Sequence, residues 1–230
     1  MNKIKQVIIL KKLFIIFGMI VIAMSVVLVE SIIVSGKVIT VYIDPGHGGS
    51  DGGAIGADGT YEKDIVLSTS LILADLFTSN GINVIMTRTE DVDLAPESSK
   101  NRKRDDIHER VRLINKSEAD VYLSIHANTF PNSYYWGAQT FFKRNESRSR
   151  ELAVLIQDSL IVNLLNTYRV AKHINDIYIV DHVTIPGVLV EIGFLSNRSD
   201  LELLKTKYYQ QKIALAIYIG VCEYLEKYQK

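Results

Sequence analysis

The 230-residue chain predicts one α/β domain of three layers. A mixed, mostly parallel sheet of about six strands is flanked by helices and preceded by an N-terminal membrane segment. Three observations carry this expectation. From Lys37 onward, short β-branched runs alternate with longer stretches of helical period. The chain is 47% apolar, and a domain of this length buries about 70% of its unfolded surface without staples. Ahead of Lys37 lies a long run without a charge.

Residues 1–36 stand apart. Lys3, Lys5, Lys11 and Lys12 precede Leu13–Val29, which carries no charged residue. Basic residues followed by an apolar run mark a signal peptide or a signal anchor. At about 1.5 Å per residue, the run is near the lower limit for a bilayer span. Lysine placement predicts a cytoplasmic N-terminus and an exported remainder. Small-residue cleavage sites are poor: Ala23-Met24-Ser25 lies inside the run, and Val34-Ser35-Gly36 is far beyond it. An uncleaved anchor is the favoured reading, with 37–230 as the exported domain.

Within that domain, Val38–Ile43 is a strand of β-branched residues. Lys63–Asn80 is a helix, with Ile65, Ile72, Leu73 and Leu76 on one side and Asn80-Gly81 as its stop. Ile82–Thr87 is the second strand. Glu90–Asp106 is polar, contains Pro96 and has no period, so it predicts a long surface loop. His108–Lys116 predicts a helix and Asp120–Ile125 a strand, then Gly137–Phe142 a strand and Ser149–Asn166 a helix. Ile177–Val180 and Val188–Val190 are expected as short strands. Tyr208–Tyr228 closes the chain as a long helix holding Cys222, read as inert core on its apolar stripe.

Composition excludes several classes. Lys+Arg and Asp+Glu both number 26, so the net charge is zero and a nucleic-acid partner loses its electrostatic support. The single cysteine forbids an intramolecular disulfide and a multi-cysteine zinc cluster. A phosphate-binding Gly-rich loop ending in Lys-Ser/Thr is missing from the sequence. Gly48-Gly49-Ser50-Asp51-Gly52 matches G-x-S-x-G formally, but more glycines follow where a nucleophile elbow needs a helix.

In open α/β sheets, ligands collect beyond the carboxyl ends of the strands. Three strands are followed by chemistry-bearing residues: His47 after VITVYI, His126 after VYLSI and Glu191 after VLV. Glu62 stands just before the first long helix. Two imidazoles and a carboxylate are a common ligand set for catalytic zinc, leaving one position for water. Glu191 is then free to act as general base and acid. Each residue also has a structural reading: a surface imidazole, a first-turn helix acid, a satisfied carboxylate near a turn. Spacing alone leaves these open, because the gaps form no local zinc signature.

Seven motifs in order decide further: IDPGHGGSDGGA, the glutamate of TYEKDI, MTRTED, ERVRLIN, ADVYLSIHAN, GAQTFF and VLVEIGFLSN. From about Val38 to Tyr228 the chain resembles the zinc-dependent N-acetylmuramoyl-L-alanine amidases of bacterial cell walls. This resemblance implies one α/β domain around a six-stranded sheet and one Zn²⁺ held at His47, Glu62 and His126. It makes Glu191 the catalytic glutamate and peptidoglycan the substrate. The insertion DLAPESSKNRKRDDIHERV, the N-terminal segment and the lack of wall-binding repeats are similar to the germination-specific amidases of spore formers. That narrower resemblance implies the spore cortex as substrate, as a first step toward muramic-δ-lactam, in the space between the spore membranes. It also implies an accessory lipoprotein as a partner.

Lesser signals complete the reading. Asn128 and Arg88 are candidates for substrate contact or ligand orientation. Lys100–Arg104 is read as a solvated loop. Tyr134-Tyr135-Trp136 offers rings for sugar stacking, although aromatics before a strand usually pack on the sheet. His108, His173 and His182 lack strand-end context and are read as non-ligands. Competing functions are a membrane-anchored, non-hydrolytic peptidoglycan-binding protein and a zinc peptidase or deacetylase acting on another amide. A purely structural zinc would normally take a fourth protein ligand.

Overall fold

The computed structural model describes residues 38–228. The membrane segment expected at Leu13–Val29 lies outside the described residues. Among the described residues, no helix is long and apolar enough to cross a membrane.

Six strands form one sheet: β1 (Thr40–Pro45), β2 (Asn83–Met86), β3 (Val121–Asn128), β4 (Gln139–Lys143), β5 (Lys172–Ile174) and β6 (Gly187–Phe194). Their order across the sheet is β2-β1-β3-β6-β4-β5. β2, β1, β3 and β6 run parallel, whereas β4 is antiparallel to β6 and carries β5 parallel to itself. The mixed, mostly parallel sheet expected from sequence is therefore present. The helices are α1 (Glu62–Ser79), α2 (Arg102–Lys116), α3 (Ser147–Leu164), α4 (Tyr178–His182), α5 (Arg198–Leu204) and α6 (Lys207–Tyr228).

The strand period of two sorts each run between two cores. Val41, Ile43, Val121, Leu123, Ile125, Val188 and Val190 belong to one buried cluster with Leu73 and Phe77 of α1, Ile156 of α3 and Ile217 of α6. Their alternates Tyr42, Tyr122 and Leu189 belong to another, with Val111 and Ile114 of α2 and Ile179 and Val180 of α4. Helices thus cover both faces.

Several elements depart from the sequence-based expectation. The helix expected from His108 starts at Arg102, so Arg102–Arg104 are helical rather than loop. Three basic residues in a first turn oppose the macrodipole. Here Asn101 caps the helix through its side chain, and Arg102 pairs with Asp93 at 2.5 Å. Ile177–Val180, expected as a strand, is instead the start of α4. Ile179 and Val180 reach the second core together only from a helical turn, so packing overrides their β-propensity. Strand β5 starts five residues earlier, at Lys172, at an edge where three residues suffice. Helix α5 was not anticipated; Asn197 caps it by accepting from Ser199 N and Asp200 N. Cys222 is half-buried, not core.

A candidate metal centre at the carboxyl edge of the sheet

The site is built from three segments that the parallel register brings side by side. β1 pairs with β3, and Gly46 N donates to Ile125 O at 2.9 Å just beyond the last paired residues. β3 pairs with β6 so that His126 lies opposite Glu191. Both residues sit inside the carboxyl ends of their strands rather than after them, as the sequence had suggested. Neighbouring strands are about 4.8 Å apart, so register alone makes these two side chains neighbours.

His47 occupies the left-handed region at φ 60°. Such a backbone costs an ordinary residue about 1–2 kcal/mol and persists only where surrounding contacts fix it. Arg110 Nη2 donates to His47 O at 2.6 Å, and Gly48 N donates to Asp51 O at 2.9 Å. The ring is held from outside: His47 Nδ1 lies 2.8 Å from Asp51 Oδ2, which leaves Nε2 facing inward. A carboxylate behind an imidazole is the usual means of fixing a metal-binding tautomer.

Glu62 opens α1, where Tyr61 offers no side-chain cap. Its carboxylate faces the two histidines instead. Oε1 accepts from Ala127 N and lies 2.9 Å from His126 Nδ1; Oε2 accepts from Ala54 N at 2.8 Å and lies 3.2 Å from His47 Nε2. The two imidazoles stand edge to face, with centroids 5.0 Å apart. Donor atoms of His47, Glu62 and His126 all fall within 4.8 Å of one another.

Fit to a cation is tested by these distances and by the space around them. Tetrahedral zinc with ligands at about 2.0–2.1 Å needs donor atoms roughly 3.3 Å apart. The observed 3.2 and 2.9 Å contacts are close to that requirement. Two glycines keep the cradle open. A Cβ on Gly46 would stand 2.3 Å from His126 Cε1, and one on Gly53 would stand 2.6 Å from Glu62 Oε2. The residues present fit a divalent ion.

Proton affinities follow the same geometry. Burial opposes charge on Glu62, yet hydrogen bonds from His126 and His47 hold its carboxyl well below the usual range. Burial would lower the His47 imidazole, but Glu62 and Asp51 outweigh it and raise the value. Glu191 goes the other way: burial, then the Glu62 charge, pushes its carboxyl well above the usual value. Its Oε2 is sealed from solvent and finds no hydrogen-bond partner among the described residues. An unpartnered buried carboxylate oxygen costs several kcal/mol when ionised, so the group favours holding a proton.

Beneath the site lies an ion network that sequence reasoning missed. Arg110, 1% exposed, donates to Asp106 Oδ2 at 2.8 Å, Asp44 Oδ1 at 2.7 Å and Pro45 O at 2.7 Å. Ser124 and Thr87 hydroxyls each donate to Asp44 at 2.7 Å. Burial would raise Asp44, but Arg110 and then these hydroxyls hold it below the ordinary carboxylate range. Arg88 is buried too; it donates to Pro45 O, Gly46 O, Lys63 O and Glu90 O. It therefore fixes the backbone on either side of the centre. Asn128 ends β3, where its carbonyl accepts from Leu195 N at 2.8 Å. Asp51 was also missed, although its i,i+4 spacing from His47 and the outer-carboxylate habit of metal-bound histidines were available signals. His108, His173 and His182 lie elsewhere: His108 and His182 stack on Tyr178, and His173 meets Arg144.

Comparison with known proteins shows the family to which the chain belongs. The profile of the N-acetylmuramoyl-L-alanine amidase family matches residues 41–223. The chain is 47% identical over 197 residues to the germination-specific N-acetylmuramoyl-L-alanine amidase of Bacillus subtilis (strain 168), covering 84% of this chain and 82% of that protein. Among solved structures, the CwlD amidase of Clostridioides difficile, in complex with the GerS lipoprotein, superposes with a TM-score of 0.80 at 40% identity. That match covers 82% of this chain and 99% of that one. An N-acetylmuramoyl-L-alanine amidase from Clostridium difficile 630 gives 0.75 at 30% identity, covering 83% and 98%.

Proposed function

The chain belongs to the N-acetylmuramoyl-L-alanine amidase family and is a peptidoglycan amidase, and from that premise we propose that it works with zinc held by His47, Glu62 and His126, on spore-cortex peptidoglycan. The observation that carries the metal assignment is the set of three donor residues within 4.8 Å, beside a carboxylate with an orphaned oxygen. When bound, the ion supplies Lewis acidity toward a carbonyl oxygen and lowers the pKa of water toward about 7.

The chain's own residues do the rest. Glu62, Asp51 and the backbone amides of Ala54 and Ala127 hold the donor atoms in place. The charge of Glu62 is offset when a dication is present, which returns Glu191 toward ionisation. Glu191 then accepts a proton from water as the oxygen adds to the lactyl carbonyl carbon. It returns that proton to the alanine nitrogen as the C–N bond breaks, leaving a muramoyl carboxylic acid and a free amine, which at neutral pH become carboxylate and ammonium. Such proton transfers contribute about 10²–10⁴-fold.

Similarity to a germination-specific amidase supports the spore cortex as substrate. The lipoprotein complex of the Clostridioides difficile neighbour supports an accessory lipoprotein here. The lysine-flanked apolar run at Leu13–Val29 supports membrane anchoring, with 37–230 working outside the cytoplasm, near the membrane. Digestion of purified cortex and vegetative peptidoglycan, followed by mass analysis, tests the reading. Free stem peptides with new alanine N-termini are expected, lost on chelation and restored by zinc. Full activity after exhaustive chelation would refute the metal assignment.

A further inference from the structure

The aromatic run after β3 has no part in the centre described above. Tyr134 and Trp136 do not pack on the sheet: they are 81% and 52% exposed, and Tyr168 is 84% exposed. With Asn132, Tyr135 and Arg169 they line an open hollow of about 460 Å³. Its floor is tethered. Asn197 Nδ2 donates to Ser133 O at 2.7 Å, and Gly137 N donates to Asp200 Oδ2 at 2.8 Å. Tyr135 packs edge-on against Phe130, with centroids 4.8 Å apart, and lies over Phe194 at 6.4 Å.

Arg169 links this hollow to the centre. Its guanidinium lies 4.7 Å from the Phe194 ring, Nε donates to Trp136 O at 2.8 Å and Nη1 to Gln139 Oε1 at 3.0 Å. Gln139 is the cross-strand partner of Glu191. Opposed side chains in an antiparallel pair start about 5 Å apart. One polar side chain therefore separates the candidate catalytic glutamate from the rim of the hollow.

We propose that this hollow is a second substrate site: an aromatic shelf for the pyranose rings of the glycan strand next to the muramoyl residue that is cut. The proposal rests on the amidase reading. A pyranose ring presents an apolar C–H face and a rim of hydroxyl groups. Exposed Trp and Tyr faces suit the first, and Asn132 and Arg169 suit the second. Continuity with the centre favours substrate over a protein partner. Rigid tethering gives the rings a fixed orientation before the sugar arrives, which reduces the ordering cost of binding.

Trp136 is the chain's single tryptophan, so its emission reports the shelf alone. Titration with peptide-free oligomers of alternating N-acetylglucosamine and N-acetylmuramic acid is expected to change that emission saturably. Tyr168→Ala is expected to raise the dissociation constant about fivefold, the loss of one aromatic partner. The same substitution is expected to lower kcat/KM on glycan polymer about fivefold more than on a monomeric N-acetylmuramoyl-L-alanine compound. Flat emission with wild-type protein, or equal affinity in Tyr168→Ala, overturns the proposal. So does a response to an accessory lipoprotein with none to glycan. Cleavage of the monomeric compound reports the amidase reading separately, so the two failures are distinguishable.

Discussion

Gly46→Ala isolates the placement of His126 from every other feature of the centre. The added Cβ would stand 2.3 Å from His126 Cε1 and 2.6 Å from both ring nitrogens. Ordinary carbon contacts begin at about 3.5 Å, so the ring must move by roughly 1.2 Å. Gly46 carries no positive φ, so the substitution adds no backbone strain of the left-handed kind. Retreat is blocked, because His126 lies in a central strand whose neighbours β1 and β6 are both paired to it. Metal–ligand distances must hold within about 0.2 Å, so a 1.2 Å shift removes a ligand. We expect zinc affinity to fall more than 100-fold, about 2.7 kcal/mol. A chromophoric chelator in competition measures this, with urea unfolding of the metal-free protein as control. Overpacking is expected to cost about 1–3 kcal/mol of stability. A folded variant that binds zinc within threefold of wild type would refute the geometry.

Three further outcomes are expected. Glu191→Gln should lower kcat by about 10²–10⁴-fold while zinc affinity changes little; a variant above a tenth of wild-type turnover contradicts the proton-shuttle role. Arg110→Met removes the cation between Asp44 and Asp106 and should cost about 3–5 kcal/mol in urea unfolding; a loss under about 1 kcal/mol would show that the pairs are dispensable. Acid stability follows from Asp44, whose carboxyl is held below its unfolded value. Its contribution is present above the unfolded value near 3.9 and fades as pH falls through the lower folded value. Urea midpoints taken from pH 6 to 2.5 should therefore drop below about pH 4 in wild type, and Asp44→Asn should flatten that limb.

The fold was legible wherever one strand or helix buries a whole face. Val41 to Ile43, Val121 to Ile125 and Val188 to Val190 alternate between two cores, and this is also why each reads as a near-continuous apolar run. Legibility failed where tertiary pairing overrode local preference: Arg102–Arg104 enter a helix because Asp93 and Asn101 receive them, and Ile179 and Val180 turn helical to fill a core. In the candidate site, His47, Glu62, His126 and Glu191 could be named because strand ends concentrate chemistry. Their relation could not. Which oxygen of Glu62 meets which ring depends on the amides of Ala54 and Ala127, and those come from separate loops and strands. Asp44 and Arg110 were invisible for the same reason, being sixty-six positions apart and joined only by packing α2 against β1.

This hidden network explains how a left-handed histidine can serve as a fixed donor. His47 has no helix or strand of its own to hold it, unlike Glu62 at the head of α1 and His126 within β3. Its carbonyl is instead held by Arg110, whose guanidinium is locked by two aspartates, and its ring is held by Asp51. Arg88 clamps the carbonyls of Pro45 and Gly46 immediately before it. Arg110 also offsets the charges of Asp44 and Asp106, which would otherwise repel one another in a buried place. Rigidity at His47 thus follows from the buried Arg110 network and from the Arg88 hydrogen bonds to the carbonyls before it.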